Sequence, residues 1–536
     1  MLTITNWEQA FTAHDPTTKV FLNEVLPPYL LSTRWFGAKS SKVKSYNIER
    51  SFAYNYGNNQ IAYLLFVEII AQNAGTETYF LPVCLTKDAA DKKGILCPIV
   101  ADNENYSLID ALFDEDFRNS IFKNILNEST NKLNDGTLIF EKGRCLRGYD
   151  KKAPIKSRLL NAEQSNTTLV YNDAFYLKIY RKLFRGANPD YELTQFLSEK
   201  SDFKYRAAFA GSLTWKQSDI YTVSLGLMQE KIPNQGDAWT YFLEQIDIYF
   251  IRMKNLHIKA ASLPKVPLYK PINTVELPDL YKTLMGYDLL QKIETLGKTT
   301  AQMHLALFAN RYDRHFSPTT FSSDYRVWLL NRLMAQLDSR YSLLEQNYAN
   351  LNAESKEFAD IFMANKETIT NYFLNFDEDR LNSNRIRIHG DYHLGQVLVN
   401  DDDFYILDFE GEPESTIRDR KVKQPPLKDV AGLLRSLHYA VFATIFNKGA
   451  GYDLPQAELM EAGGRYYRVA VGVFLKQYLD TATNGGLNIG YHAEIDFLLK
   501  YHILEKAVYE LGYELKSRPD WVMIPLKGIM QILNND

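Results

Sequence analysis

Along the first third of the chain, apolar residues tend to recur at every second position. QIAYLLFVEII and TYFLPVCL therefore predict strands, behind an early helix over 7–26. SLIDALFDEDFRNSIFKNIL predicts a helix, and from Gly136 the strand pattern returns in TLIFEKGRCL, NTTLVYND and AFYLKIY. NPDYELTQFLSEK predicts the next helix, with Asn188 as N-cap and Pro189 at its first position. DIYTVSLGLMQE predicts one more strand. After Pro233 the spacing turns helical and stays so to the end, except in QVLVNDDDFYILDFE. No repeat, low-complexity tract or long linker interrupts it. The reading is α+β, in three parts: a mixed cap over 1–91, an intermediate region and β-rich lobe over 92–232, and an α-rich lobe over 233–536.

Composition narrows the class. At 536 residues, two or three domains are expected. No apolar run reaches the roughly 20 residues of a membrane span, and MLTITNWEQAF has neither the basic nor the apolar region of a signal peptide. A net charge of −4 without a clustered basic face offers no case for nucleic acid. Cys84, Cys97 and Cys145 lack metal or redox spacing and read as buried small hydrophobes in a reducing cytoplasm.

The isolated hairpin carries the chemistry. Five Asp and two Glu lie between Gly390 and Glu412. Asn400 to Asp403 is a turn signal. A turn centred on Asp402 would set Gln396 opposite Asp408, at the end away from the turn, with Asp391 just upstream. Asp391, Gln396, Asp408 and Glu410 then converge, while Asp401 to Asp403 form a solvated tip. Hard oxygen ligands at a half-open site suit Mg²⁺. Phosphoryl transfer needs a loop Asp for the acceptor proton, then an amide and a carboxylate for metal, which is the order here. The competing reading is an ordinary hairpin with a polar turn.

A nucleotide site is expected upstream. Lys178 lies in the apolar strand AFYLKIY, and Glu192, one turn into the next helix, is placed to brace it. Gln164, Ser165, Asn166, Thr167 and Thr168 form a polar hairpin suited to cover phosphates. Gln229 and Glu230 fall where backbone groups would meet adenine. Taken singly, each is ordinary: an edge lysine, a polar turn, a strand end.

These stretches, with TRWFGAKS, GANPDYEL, QEKIPNQGDAW, TLGKTTAQMHLAL, QPPLKDVAGLLRSLHYA and LEKAVYELGYELKSRPDWVMIPL, resemble the aminoglycoside-phosphotransferase-like kinases, and most closely the maltokinases. Gln396, where broader members carry Asn, favours the narrower resemblance. It implies a bilobal protein-kinase-like fold with an extra N-terminal cap. It also implies transfer of the ATP γ-phosphate to the anomeric hydroxyl of maltose, with Mg²⁺, and a functional link to trehalose synthase in glycogen metabolism. Lys506, Tyr509, Glu510 and Tyr513 share one helix face. By themselves they read as a helix joining the core; the resemblance makes them sugar ligands. His393 and Arg420 are further sugar candidates, or else a loop residue and a partner for Asp419 or Glu414.

Other readings remain. A glucosamine or other small-sugar kinase would share the hairpin and differ at the sugar pocket. A glycoside hydrolase needs two carboxyls flanking a sugar, but leaves Lys178 and Glu192 unexplained. A non-catalytic nucleotide-binding module has no reason to keep Asp391, Asp408 and Lys178.

Overall fold

The computed structural model describes residues 2–11, 16–57, 60–72, 75–87, 92–133, 135–160, 165–218 and 221–533. The chain separates into two units, Met1–Lys200 with Ala207–Ile232, and Ser201–Arg206 with Pro233–Asp536.

In the first unit, QIAYLLFVEII departs from the expected alternation: its apolar run from Ile61 to Val67 is continuous because both faces are covered. Tyr63, Leu65, Val67 and Ile69 pack with Trp7, Phe21, Leu26 and Phe36. The intervening Leu64 and Phe66 face a second core with Trp215, Phe140 and Leu225. The first sheet contains β1 (Leu2–Ile4), β2 (Val43–Tyr56), β3 (Gln60–Ala71), β4 (Gly75–Thr86), β5 (Ile95–Ala101) and β6 (Glu104–Asp110). Its order is β1-β5-β6-β4-β3-β2, with β1 parallel to β5. The sheet thus runs past the boundary expected at residue 91.

The second sheet is antiparallel. It contains β7 (Thr130–Leu133), β8 (Gly136–Lys142), β9 (Ser157–Leu159), β10 (Thr167–Tyr171) and β11 (Phe175–Ile179). A two-residue strand, β12 (Lys182–Leu183), instead pairs with β4 of the first sheet. β13 (Phe209–Ser218) and β14 (Tyr221–Glu230) complete the order β7-β8-β13-β14-β11-β10-β9. No expectation covered β13, whose pairing is broken by register shifts and whose alternation is interrupted by Gly211. Two helices flank these strands, α1 (Glu115–Asn127) and α2 (Pro189–Glu199).

Several expected elements have different limits. Ser107 to Asp110 finish β6, and α1 starts only after Asp114, whose Oδ1 accepts the Phe117 N–H at 2.7 Å. The strand in TLIFEKGRCL stops at Lys142, and Arg144–Leu146 form a 3₁₀ turn. Instead of one helix over 7–26, a 3₁₀ turn at Trp7–Gln9 precedes helical turns from Pro16 to Ser32. Of the cysteines, only Cys84 is buried; Cys145 is exposed.

The second unit is helical around one hairpin. Its main helices are α3 (Ala238–Asn255), α4 (Tyr287–Ala309), α5 (Ser323–Asn347), α6 (Leu427–Lys448), α7 (Gln456–Asn484), α8 (His492–Ser517) and α9 (Met523–Leu533). α6 is buried along most of its length and packs on α3, α7 and α8. Ser201–Arg206 joins this unit because the Ile406 N–H donates to the Tyr205 carbonyl at 2.9 Å. Among the described residues, no helix is long and apolar enough to cross a membrane.

Candidate active site

The hairpin pairs β15 (Val397–Asn400) with β16 (Asp403–Ile406). Its register is Val397 to Ile406 and Asn400 to Asp403, so the two-residue turn is Asp401-Asp402 rather than one centred on Asp402. Gln396 therefore lines up with Leu407, whose N–H donates to the Gln396 carbonyl at 2.9 Å. Asp408 lies one residue further on, at φ +56°. That left-handed turn redirects the chain after the ladder. Asp408 and Glu410 bring carboxylate oxygens within 4.8 Å of each other. Two hard carboxylates, with Gln396 at the neighbouring strand end, fit Mg²⁺.

Asp391 sits on a loop held from three directions. Asp429 of α6, fully buried, accepts the N–H of His389 at 2.8 Å and of Gly390 at 2.9 Å. It also accepts the Nε2–H of buried His304 at 3.0 Å. Burial alone would raise the Asp429 carboxyl, but His304, His389 and the Gly390 amide hold it below its ordinary value. His389 Nε2 donates to the Leu407 carbonyl at 2.8 Å, tying the Asp391 loop to the end of β16. Gly390 and Gly411 both have positive φ, and a Cβ on Gly390 would lie 3.1 Å from the Gly411 Cα. The two loops approach at the distance glycine permits.

Lys506 of α8 donates to Asp391 Oδ1 at 2.9 Å. Burial pushes its ammonium down, but Asp391, Glu412 and Glu510 more than offset this and hold it above its ordinary value. His393 Nδ1 accepts the Gly395 N–H at 3.1 Å, which leaves the neutral ring's proton on Nε2, 4.0 Å from Asp391 Oδ2. Burial lowers the His393 pKa, so the neutral form is favoured.

A buried charge cluster surrounds this pair. Glu412 receives Arg332 at 3.1 Å, and Lys428 donates to Glu505 at 2.8 Å. Arg332 also reaches Glu505, and the His502 Nδ1–H donates to Glu505 at 2.7 Å. Burial followed by Arg332 pushes Lys428 down to about 7. Burial raises Glu412, yet Lys428, Arg332 and Lys506 bring it down to about 2.

The other sugar candidates are placed as follows. Glu510 takes a two-pronged contact from buried Arg435, at 2.9 and 2.7 Å. Tyr509 lies against Lys506, whose Nζ is 4.7 Å from the ring centroid. Tyr513 is exposed. Arg420 donates to the carbonyls of Ser415, Glu410 and Pro413, which makes it a clamp on the loop after the hairpin.

In the β-rich unit, Lys178 of β11 donates to Asp190 Oδ2 at 3.2 Å. Asp190, fully buried, also accepts from the Tyr180 hydroxyl at 3.4 Å. The sequence expectation named Glu192, two residues further along α2, and passed over Asp190. The signal was its place just after the Asn188 cap, whose Oδ1 accepts the Asp190 N–H at 2.9 Å. The Thr167 hydroxyl accepts Arg181 Nε at 2.8 Å, while Ser165 and Asn166 precede β10. Thr168 is buried in β10. Gln164 lies outside the described residues. Gln229 and Glu230 belong to β14, in register with Tyr176 and Phe175. The Glu230 N–H, one of the backbone groups at this strand end, donates to the Ala208 carbonyl at 2.9 Å.

A lysine held by a helix carboxylate in an antiparallel sheet, and a helical unit with an Asp loop before an acidic hairpin, define a kinase-like α+β fold. Comparisons agree with that class. A solved glucosamine kinase in complex with glucosamine, ADP and inorganic phosphate superposes with a TM-score of 0.62 at 16% identity, covering 94% of this chain and 98% of that one. A second glucosamine kinase crystal form gives 0.64 at 18% identity, covering 99% and 100%. In sequence, the glucosamine kinase of Mycolicibacterium smegmatis is 21% identical over 410 residues, 76% of this chain and 85% of that protein. That of Streptacidiphilus jiangxiensis is 26% identical over 239 residues, 44% of this chain; the matched stretch spans 48% of that protein. No family model matches the chain.

Proposed function

We propose that this chain transfers the γ-phosphoryl group of ATP to a hydroxyl of a small sugar. The carrying observation is Asp391, presented on a loop locked by Asp429 and His389 and paired to Lys506. In the step, the sugar oxygen bonds to Pγ, the Pγ–O bond to ADP breaks, and Asp391 takes the hydroxyl proton. Lys506, donating to Asp391 Oδ1, holds that carboxylate in place for the acceptor hydroxyl. Lys178, steadied by Asp190, is the group for the nucleotide phosphates. Asp408, Glu410 and Gln396 would hold Mg²⁺, which when bound neutralises phosphate charge.

Glucosamine is the first acceptor to test, because the relatives and solved structures that span most of the chain are named for it. Maltose, giving maltose 1-phosphate, is the second reading. Glu412, Glu414 and Glu510 each already hold an arginine or lysine, which favours a neutral sugar over one with an ammonium group. The link to a trehalose synthase belongs to that second reading.

The test is ADP release with Mg·ATP against glucosamine, maltose, glucose and a no-sugar control, the product being identified by NMR. Glucosamine-dependent release supports the first reading and maltose-dependent release with a 1-phosphate product the second. No release with any sugar, while Mg·ATP still binds, overturns both.

A further inference from the structure

A cavity of about 410 Å³ opens in the helical unit among α6, α7 and α9, apart from the Asp391 loop. His438 on its wall is nine residues beyond Asp429 on α6, about 13.5 Å along the axis at 1.5 Å per residue. The cavity belongs to neither the proton acceptor nor the acidic hairpin. Its size falls in the range of small-molecule sites.

Its lining has two chemistries. Val441, Phe442 and Met460 form an apolar wall. Arg465, Arg468 and Lys527 form a cationic one. Arg465 pairs with Glu461 at 3.3 Å and Lys527 with Glu354 at 3.2 Å. Arg468 has neither hydrogen bond nor ion pair among the described residues, so the wall keeps a net positive charge.

His438 adds a second, independent pointer. It is 4% exposed, and its Nδ1 accepts from Arg435 Nη1 at 3.2 Å. The guanidinium only donates, so the neutral ring carries its proton on Nε2. That N–H has no partner among the described residues. His438 lines the cavity, and an anion there would accept from that N–H in a charge-assisted hydrogen bond.

Gly464 shows that the space is open. A Cβ built on it meets nothing within 4 Å, although it lies inside helix α7. Arg435, which fixes the His438 ring, is the same residue that grips Glu510 of α8, one turn beyond Lys506. A ligand bonded to His438 would load the Arg435–Glu510 contact and, through α8, the lysine paired to Asp391.

We propose that this cavity is an effector site for a small organic anion with an apolar body, its head group on Arg468 and His438 and its body on the apolar wall. A carboxylate and a phosphate monoester share this chemistry. Binding does not depend on the sugar-kinase reading; the effector role rests on it.

The test is calorimetry on the full chain with 1-naphthyl phosphate and 1-naphthoate, in saturating ADP to fill the nucleotide site, with 1-naphthalenemethanol as neutral control. One-site binding of at least one anion, tighter than the neutral control, is expected. Arg468→Gln should weaken it by about tenfold, the scale of one charge-assisted hydrogen bond. Gly464→Leu should abolish it by filling the space while keeping the melting temperature at or above wild type, since leucine favours helix over glycine. No binding, or binding unchanged in both folded variants, overturns the site. In the ADP-release assay the bound anion should change the sugar KM or kcat at least twofold in wild type and not in Gly464→Leu. An unchanged KM and kcat with the cavity occupied overturns the effector role and leaves the binding result standing.

Discussion

Asp391 and Lys506 are 115 residues apart in the chain and 2.9 Å apart in the fold. Asp391→Asn removes the carboxylate proposed as proton acceptor while keeping the side chain's size. Turnover should fall by about 10²–10⁴-fold, with Mg·ATP affinity by calorimetry unchanged; turnover within tenfold of wild type would refute the role. Glu412 carries a pH prediction. Its folded pKa of about 2 lies below the ordinary value of about 4.3. A carboxylate lowered on folding contributes stability above its unfolded pKa and loses it as pH falls toward the folded one. Urea midpoints between pH 5 and 3 should therefore drop more steeply in wild type than in Glu412→Gln. Parallel curves would show that Lys428 and Arg332 do not hold Glu412 down.

At the scale of elements, α6 is the part that places the loop. It delivers Asp429 to the His389 and Gly390 amides and Ser436 to the Leu394 N–H at 3.1 Å. Its Gly432 lets the loop lie directly on the helix: a Cβ there would sit 2.7 Å from the Tyr392 carbonyl oxygen. Gly432→Ala gains up to about 1 kcal/mol of helix propensity but must push that carbonyl away. The expected result is a melting temperature near wild type with kcat lowered at least tenfold; an unchanged kcat would mean the loop tolerates the shift. The same scale explains an error in register. A turn centred on Asp402 and a two-residue turn at Asp401-Asp402 differ by half a residue, and local sequence does not separate them. Asp401 at φ +48° decides for the shorter turn.

Across the whole molecule, the β-rich unit is fastened by a buried ion pair that the sequence reading did not identify. Arg181 and Asp110 meet at 2.5 Å, each at most 1% exposed. The Tyr29 hydroxyl donates to the same carboxylate at 3.0 Å, and the Arg181 guanidinium lies 4.7 Å from the Trp35 ring centroid. Here TRWFGAKS acts structurally, its Trp35 stacked on the arginine that follows β11. Asp110→Asn leaves a buried cation uncompensated and should cost about 3–5 kcal/mol, read as a lower urea midpoint. The double variant Asp110→Leu with Arg181→Met should recover part of that loss, because an apolar pair carries no desolvation cost. If the double variant were no more stable than the single one, the cost would lie in packing instead.

The sequence by itself determined the fold class and the order of the candidate site residues. Strand and helix periods are local properties, so the β-rich first part, the helical remainder and the lone hairpin were readable from side-chain alternation. The sequence His-Gly-Asp, Gln396, Asp-Phe-Glu was readable too, because a tight loop and a short ladder bring near neighbours together. What tertiary structure decided were the partners. Asp190, two residues before the expected Glu192, accepts from Lys178 because α2 brings its buried first turn to β11. Asp429 looked like one more polar residue in LKDVAGLL, yet it holds the Asp391 loop from 40 residues away. Arg420 and Glu510 read as sugar ligands on a helix face or loop, and each is committed to its own neighbours. A charge's partner depends on which elements pack against it, and packing is a property of the folded chain that no local pattern records.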